Sequence, residues 1–493
     1  MAAIITEKFR LHNASQFVES FTEASASVYY LFLGKSSPFS SATSGGSDSS
    51  PPTPADSVGQ TEYYSWDSML GAKNISSSDI TRAVVRRNFA NGTTYDMYEH
   101  NISSDNTTTS GSSNLYDSTF YFLTSANRVY KVLDNNGGTS YSGSEPTSES
   151  TSPFALGGYV LKYMYSISSS DAAKFLTTDF MPISTDSTVS AAATDGAIES
   201  LIITAGSGYS DGTYYAAVFG DGTSQGTSSG AIVRITVSGG GIQSFGLTAG
   251  SDTTIHAAGT SYTFGTVNLG SSFTFSDSDL SSASSMGSGS GGAVSVVISP
   301  KEGHGNDAVA ELGGHFVMTS TTLTQAEGDD FTTANDFRQV GLVVDPTTFG
   351  TSTVASSSTA RQTFVLKGSS VSGTFSADEQ ITQSSTGAVG KVVEFDSSRN
   401  LLYYQQERFA DFGTSSTNGG YVAFSGTNTI TGGTSSATLT PSSVTETVTL
   451  ANNNTISLTT GYANPELQPD SGTIIYLENR KPISRASDQT EDI

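Results

Sequence analysis

The chain has 493 residues, no cysteine and a net charge of −24, from 22 Lys and Arg against 46 Asp and Glu. The acidic excess argues against a nucleic-acid partner, because phosphate backbones are bound by basic patches. The lack of cysteine excludes disulfides and thiolate chemistry. Only 14% of residues are charged, too few for a coiled coil, while the 51 Gly, 26 Phe and 22 Tyr favour short strands joined by turns. We therefore predict a mainly β protein whose α+β core has few short helices.

The N-terminal part of the chain is predicted to mix two helices with several strands. An apolar stripe predicts a helix over 5–21, and a second helix over 61–70 holds the only tryptophan, Trp66. Short apolar runs predict strands over 28–33, 83–87, 120–124, 128–133 and 159–167. Polar residues predict loops over 36–56 and 98–114. The longest apolar run, 28–33, is far shorter than the roughly 20 residues of a membrane helix, and we expect no membrane partner and no signal peptide.

Two β modules are predicted in the rest of the chain. Residues 196–298 alternate strands with Gly-rich turns, and a unit of strand, Gly turn and Tyr recurs loosely within them. A second module begins near residue 352 and ends near 449, with strands over 362–367, 389–396, 401–405 and 421–424 and a hairpin turn over 396–400. We predict that this second module is a small barrel or sandwich. Both are expected to be insertions in a discontinuous multidomain core.

The sequence offers weak candidates for chemistry. His304 and His315 lie in a Gly-rich stretch without metal-ligand spacing, and the match Gly222-Thr-Ser224-Gln-Gly226 lacks the strand and helix of a nucleophile elbow. The carboxylate pairs Asp329-Asp330 and Asp378-Glu379 are adjacent, and adjacent strand residues point to opposite faces. Asp221 in a Gly-rich loop could ligate calcium, but the EF-hand pattern is absent. We predict no cofactor, no metal site and no enzymatic activity.

Short segments spread along the chain resemble one family in the same order. They are 5–10, 30–40, 66–71, 83–89, 130–134, 158–163, 337–340 with Pro346, and 474–483 followed by 488–491. Together they are similar to the gene 8 product family, the baseplate wedge proteins of T-even-like contractile-tailed bacteriophages. The resemblance covers roughly residues 4–180, 335–350 and 470–493.

This resemblance implies a structural subunit in the tail baseplate of the virion, made in the host cytoplasm. It implies a homodimer that joins neighbouring wedge proteins and helps to transmit the change that triggers sheath contraction. The expected division is 1–190 for the N-terminal part of the wedge core, 191–299 for the Gly-rich insertion, 300–351 for the return to the core, 352–450 for the small β insertion and 451–493 for the C-terminal part of the core. The candidate interface or structural residues are Trp66, Arg86, Arg87, Arg338, Tyr476, Glu478, Asn479, Arg480 and Pro482.

Two other functions stay open on the sequence. A receptor-binding or adhesin-like tail protein would use the Gly-rich β modules to contact host surface glycans. A polysaccharide-degrading enzyme would need a working carboxylate pair and is the weakest alternative. The local physics of the C-terminal segment favours structure over chemistry, because Pro482 after an apolar run is predicted to end the strand.

Overall fold

The computed structural model describes residues 6–40, 45–54, 60–224, 230–271, 273–275, 280–323, 336–408, 420–450, 453–483 and 491–492. The chain forms two compact units, and both are discontinuous. The first unit comprises Met1–Val18 with Thr81–Met318, and the second comprises Glu19–Ile80 with Thr319–Ile493. The polypeptide therefore passes from one unit to the other three times.

Strands dominate both units, which confirms the predicted mainly β, multidomain fold class. The helices are α1 (Glu7–Glu19), α2 (Gln60–Ser68), α3 (Ser169–Phe175), α4 (Ser187–Ala192) and α5 (Ala308–Leu312). The strands are β1 (Tyr29–Gly34), β2 (Met69–Ile75), β3 (Ile80–Val85), β4 (Tyr121–Leu123), β5 (Arg128–Asp134), β6 (Phe154–Leu156), β7 (Tyr159–Ser166), β8 (Phe180–Pro182), β9 (Ile198–Thr204), β10 (Gly212–Gly220), β11 (Ile232–Ser238), β12 (Gly241–Ile242), β13 (Thr254–Ala257), β14 (Gly265–Val267), β15 (Ala293–Ile298), β16 (Phe316–Thr319), β17 (Thr322–Leu323), β18 (Phe337–Val344), β19 (Thr359–Arg361), β20 (Phe364–Ser372), β21 (Gln380–Gln383), β22 (Ala388–Asp396), β23 (Leu401–Gln405), β24 (Ile430–Gly432), β25 (Thr438–Pro441), β26 (Glu446–Thr449), β27 (Thr455–Leu458), β28 (Tyr462–Ala463), β29 (Thr473–Ile483) and β30 (Glu491–Asp492). Within the described ranges, none of the helices is both long and apolar enough to cross a membrane.

An aromatic core organises the part of the first unit around its four-stranded sheet, whose order is β4-β5-β7-β6. Tyr130 on β5 and Tyr159 and Tyr165 on β7 are fully buried there. The tyrosine hydroxyls keep hydrogen bonds, as buried polar groups must; Tyr159, for example, donates to the carbonyl of Thr139 over 2.5 Å. A second sheet, β16-β3-β8, completes this part of the unit.

The Gly-rich residues of the first unit form a separate small core. Strands β12, β11, β10 and β14 pair in that order, β13 also pairs with β11, and β9 pairs with β15. Tyr262 is buried in the core of this module. Gly196 has a φ of +58°, and a Cβ atom at this position would come within 2.3 Å of the backbone nitrogen of Tyr262. Close approach of this kind requires glycine, which explains why Gly and Tyr occur together in these turns.

The second unit has a five-stranded antiparallel sheet in the order β19-β2-β1-β18-β29. Its strands come from both ends of the chain, since Tyr29 of β1 pairs with Val344 of β18, which in turn pairs with Thr473 of β29. Every residue of the central strand β1 is buried. Trp66 of α2 packs into the same core with Tyr30 and Phe32.

A closed barrel lies beside this sheet in the second unit. Strands β23, β22, β21, β24, β25 and β20 pair in sequence, and β20 pairs again with β23 to close the ring. Closure removes the exposed sheet edges that an open sheet of this size would leave. The barrel is filled by aliphatic and aromatic side chains, among them Leu366, Ile381 and Leu439. The segments before and after the barrel meet where Arg361 donates to the carbonyl of Asn464 over 2.8 Å.

Most of the predicted helices and strands are confirmed. The predicted helices correspond to α1 and α2, and β23 matches its predicted range. The strand predicted over 421–424 is wrong, because these residues form no ladder. The side chains of Phe424 and Val422 pack against the barrel core, and the ring of Phe424 lies 5.0 Å from that of Tyr404. The backbone carbonyl of Val422 accepts a hydrogen bond from the Gln406 side chain.

Candidate assembly surface

Strand β29 forms one edge of the five-stranded sheet and, among the described residues, its ladder is with β18 alone. Its neighbour β18 is buried along nearly its whole length, whereas β29 is largely accessible. Ile475 is 46% exposed and Tyr476 is 50% exposed. Natural proteins usually protect the edges of their sheets from other chains, so an accessible edge with large apolar side chains is a candidate contact surface.

The polar residues of β29 are ordered by contacts within the strand and with its neighbours. The Tyr476 hydroxyl donates to Glu478 over 3.0 Å, and the Arg480 guanidinium lies 3.0 Å from the same carboxylate. Burial alone would raise the pKa of Glu478, but the hydrogen bond and the charge of Arg480 lower it. Asn479 accepts from Gln339 over 2.9 Å and donates to the carbonyl of Pro52 over 2.9 Å. These contacts within the unit therefore order the polar side chains of β29.

The prediction that Pro482 ends this strand is wrong. Ile483 still pairs with Phe337, so β29 continues beyond the proline. Asn479 of β29 pairs with Gln339 of β18. Between these two pairs β29 has more residues than β18, so the ladder is irregular there. A proline, which has no N–H to donate, is tolerated on an edge strand or in a bulge. Arg480 and Pro482 therefore lie in a bulge that bends the exposed edge.

Other predicted candidates are internal to their units. Trp66 is only 2% exposed. Arg338 is 4% exposed, and its guanidinium donates to both carboxylate oxygens of Asp48 over 3.0 Å each and also to the carbonyl of Ser36. The hydrogen bond from Arg338 is the largest cause of the lowered pKa of Asp48. Arg338 therefore holds part of the predicted loop 36–56 against β18, so its guanidinium makes contacts within the unit.

Arg86 and Arg87 belong to the first unit and follow β3. Arg86 donates to the carbonyl of Thr177 over 2.7 Å and to the side chain of Asn88 over 2.8 Å. Arg87 donates to the carbonyl of Tyr116 over 3.3 Å, and its guanidinium lies 5.3 Å from the ring centroid of Tyr121. Both arginines thus tie segments of the same unit together, and their interface role stays a prediction.

The histidine candidates separate into two unrelated environments. His304 is buried and accepts at Nδ1 from the Lys131 ammonium over 2.8 Å, and Lys131 also donates to Glu311 over 2.7 Å. His315 contacts the Gly313 carbonyl over 2.9 Å and lies 3.5 Å from Glu7. Within the described part of the chain, no group of three or more His, Asp and Glu side chains is arranged to hold a metal ion.

The carboxylate candidates are likewise occupied by their own fold. Glu379 accepts from the backbone N–H groups of Ser376, Thr434 and Ser435. The neighbouring Asp378 forms an ion pair with Lys391. Asp221 accepts from the backbone of Thr263 over 2.8 Å and so closes a turn. Asp329 and Asp330 lie outside the described residues, as does the second half of the Gly-x-Ser-x-Gly match.

One cavity of about 210 Å³ lies in the second unit and was not anticipated from the sequence. Its lining combines aromatic rings, amides, prolines and three charged groups, drawn from α2, the turn after β18, the barrel and the segments next to it, and the segment before β29: Trp66, Asp67, Phe349, Gln362, Phe364, Gln405, Gln406, Arg408, Tyr421, Pro465, Gln468, Pro469 and Asp470. Burial raises the pKa of Asp67 to about 6, although Arg408 opposes this shift. Of the candidate residues predicted from the sequence, Trp66 lines this cavity.

Comparison with known proteins bears on the N-terminal part of the chain. A family model described as Bacteriophage T4, Gp8 matches residues 3–139. Residues 3–139 are therefore similar to the Gp8 family. Within residues 3–139, the match confirms the predicted resemblance to gene 8 product baseplate wedge proteins, and it includes the segments that form α1, β1, β2 and β5. The predicted resemblance over residues 335–350 and 470–493 lies outside the match. No curated protein matches the chain.

The Gp8 family is a structural family of the phage baseplate, and the match supports a structural role in the baseplate wedge. The match implies a location in the tail baseplate of the virion, and it suggests contact with other baseplate proteins. The matched residues extend through both units, because β1 and β2 belong to the second and β4 and β5 to the first. Strand β29 and the cavity's barrel residues lie outside the matched range.

Proposed function

We propose that the protein is a homodimeric structural subunit of the baseplate wedge that catalyses no reaction, joins neighbouring wedge proteins and helps to transmit the rearrangement that triggers sheath contraction. The observation that carries this proposal is the exposed edge strand β29, with the accessible side chains of Ile475 and Tyr476 beside the Glu478–Arg480 pair. Aromatic and Arg side chains are enriched in protein interfaces. The family match supports the wedge role itself.

The proposed mechanism is a difference in contacts between two states of the baseplate. A subunit contributes to such a switch only by binding one arrangement of its neighbours more tightly than the other. Rigid sheets with ordered edge contacts suit this task, since they transmit a displacement of one neighbour to another. We further propose that the Gly-rich module and the barrel are insertions in the wedge core that supply additional contact surfaces, according to the five-part division given above.

The test is the solution mass of the full chain, measured by light scattering coupled to size exclusion. We expect a mass near twice the 51.2 kDa of the chain. In a variant with Ile475→Ser and Tyr476→Ser, the mass should fall towards that of one chain, because the contact loses its apolar side chains. Both residues are about half exposed, so the folded unit should survive.

The matched control is Val444→Ser, which replaces another exposed apolar residue of the same unit, 54% accessible. Its mass should equal that of the original protein. A dimer that persists in the Ile475/Tyr476 variant would exclude β29 as the dimer surface. A monomeric original protein would contradict the homodimer, and a trimer would contradict the wedge role in favour of a receptor-binding fibre component.

A second candidate function is contact with host surface glycans. Two aromatic rings of the Gly-rich module favour it, because Phe219 is 40% exposed and Phe264 is 58% exposed. Exposed rings can stack on sugar faces. The discriminating measurement is binding of the purified chain to host envelope polysaccharide, which should be lost in Phe219→Ser and Phe264→Ser if this function holds.

A further inference from the structure

The cavity lined by Trp66 has the size of one amino-acid side chain. Its volume of about 210 Å³ lies below the roughly 300–1,000 Å³ of pockets that enclose small-molecule ligands. Interface hot spots, in contrast, commonly consist of one large side chain that fills a pocket on the partner. The dimensions therefore favour an anchoring side chain from another protein over a free metabolite.

The walls of the cavity favour a cation. The rings of Trp66, Phe349, Phe364 and Tyr421 all line it, and positive groups are attracted to the faces of aromatic rings. The ring of Phe364 lies edge-on to that of Tyr421, with their centroids 5.7 Å apart. A neighbouring pair of this kind already exists in the same unit, where the Arg408 guanidinium lies 4.7 Å from the ring centroid of Tyr63.

The charged groups of the lining leave an excess of one negative charge. Arg408 donates to Asp67 from its backbone N–H over 2.9 Å and from Nε over 2.8 Å, and it donates to Asp470 through both terminal nitrogens. One guanidinium thus faces two carboxylates. The Asp470 side chain is 35% exposed, and a carboxylate has about four lone-pair sites, so it can accept further hydrogen bonds.

The amides of the lining add acceptors. Gln405 uses its NH₂ group to donate to the carbonyl of Met69 over 3.1 Å. Gln406 donates in the same way to the carbonyls of Val389 and Val422. Gln406 thus uses both of its N–H groups and Gln405 uses one of its two, while the two amide oxygens are acceptors. An occupant with many donors and no acceptor matches this lining, and arginine is such a side chain.

We propose that this cavity is a binding site for an arginine side chain that a neighbouring baseplate protein presents. Only the source of the arginine rests on the proposed wedge function. The guanidinium would lie against the aromatic rings and donate to Asp470 and the glutamine oxygens, which combines stacking with bidentate hydrogen bonding as guanidinium groups favour.

The experiment titrates the full-length protein with N-acetyl-arginine amide and follows the fluorescence of Trp66, the only tryptophan of the chain. We expect a saturable change in the millimolar range, with at least a fivefold weaker response to N-acetyl-leucine amide. Tighter binding of N-acetyl-phenylalanine amide would overturn the proposal in favour of an apolar anchor. The absence of any saturable change with the arginine probe would also overturn it.

Two variants locate the binding. Asp470→Asn should weaken the arginine probe at least fivefold, because it removes a carboxylate from the lining, and Phe349→Ala should weaken it by loss of a ring. The matched control is Glu446→Gln, a carboxylate in the same unit that pairs with Lys367 over 2.8 Å and does not line the cavity. Equal binding by Asp470→Asn, Phe349→Ala and the control would overturn the assignment of the site.

The light-scattering mass separates this inference from the proposed function. Asp470→Asn should keep the mass of the original protein, since the cavity is not the proposed dimer edge. A variant that loses probe binding and keeps its mass supports the cavity assignment alone. Loss of the dimer with probe binding intact would instead contradict the role assigned to β29.

Discussion

Lys131, His304 and Glu311 form a buried ionic cluster in the core of the first unit. The Lys131 ammonium also lies 3.9 Å from the ring centroid of Tyr98, and the backbone N–H of Gly305 donates to Glu311 over 2.6 Å. Removing Lys131 or Glu311 would leave the other charge uncompensated in a low-dielectric core, so this ion pair holds β5 and α5 together.

The cluster makes the stability of the first unit depend on pH. Burial, and then the charge of Lys131, lowers the pKa of His304 to about 3, while the unfolded chain binds that proton near 6.5. The free energy of unfolding should therefore fall as the pH drops from about 6.5 towards 3, since only the unfolded chain takes up the proton there. The charged groups that face this histidine are Lys131 on β5, Lys162 on β7, Glu199 on β9 and Glu311 on α5.

Replacement His304→Gln should remove up to about 1.4 kcal/mol of this acid sensitivity for each pH unit. Hydrogen exchange of peptides from β5 and β7, measured in urea between pH 7 and pH 4, checks the expectation. His12→Gln is the control because His12 is exposed on α1. Identical pH slopes for the His304 variant and the original protein would contradict a neutral His304 in the folded state. Glu311 should also make the free energy of unfolding fall as the pH drops, because its pKa in the folded protein is lower than in the unfolded chain. This contribution should remain in the His304 variant.

At the scale of the element, strand β18 is confined between β1 and β29. A side chain at Gly341 would come within 2.3 Å of the Phe32 ring and 2.7 Å of the Tyr476 carbonyl oxygen. One of these atoms is backbone, so the substitution cannot be relieved by a rotamer change alone. Gly341 is thus required by the close passage of an aromatic ring over the strand, as glycines within strands often are.

Gly341→Ala should lower the free energy of unfolding of the second unit by roughly 1–3 kcal/mol, the usual cost of overpacking. Urea unfolding followed by Trp66 fluorescence gives the value directly. Gly420→Ala is the matched control, since a side chain at Gly420 would meet nothing within 4 Å. Equal urea midpoints for the two variants would contradict the inference that Gly341 is packed too tightly to carry a side chain.

Runs of apolar residues are sufficient to predict individual strands but do not identify their partners. Strands β5, β7 and β23 are such cases, because their side chains alternate or are uniformly apolar over a short run. The short helices α3, α4 and α5 were missed, since five to seven residues are too few to show a helical period. The bulge at Arg480 and Pro482 was also missed, because it depends on the register with β18.

The candidate site could be predicted only in part for a similar reason. Tyr476 and Glu478 are interface or structural candidates on the sequence and both lie on β29, and their surface role stays a prediction. The cavity brings Trp66 next to Arg408 and Asp470, residues that are distant in sequence. Lys131 likewise meets His304 and Glu311 across 173 and 180 residues. Contacts of such separation are decided by tertiary packing, which no local pattern reports.

At the scale of the whole molecule, each unit has its own hydrophobic cores. We therefore expect separable unfolding transitions. Gly341→Ala should move the transition seen by Trp66 and leave hydrogen exchange in β5 and β7 unchanged, whereas acid should act on β5 and β7 through His304. A single transition that shifts equally for both perturbations, read by both probes, would contradict two independent cores.

The threefold passage of the chain between the units sets an order for synthesis on the ribosome. The first unit is complete once Met318 has been made, whereas β1 and β2 must wait for β18 and β29 before their sheet exists. Domains generally fold as they emerge, and long-range pairings form late. The nascent chain thus carries an apolar, unprotected pair of strands during most of its translation. The edge strand that closes this sheet is also its proposed contact surface, so a half-made subunit cannot offer that surface to the growing tail.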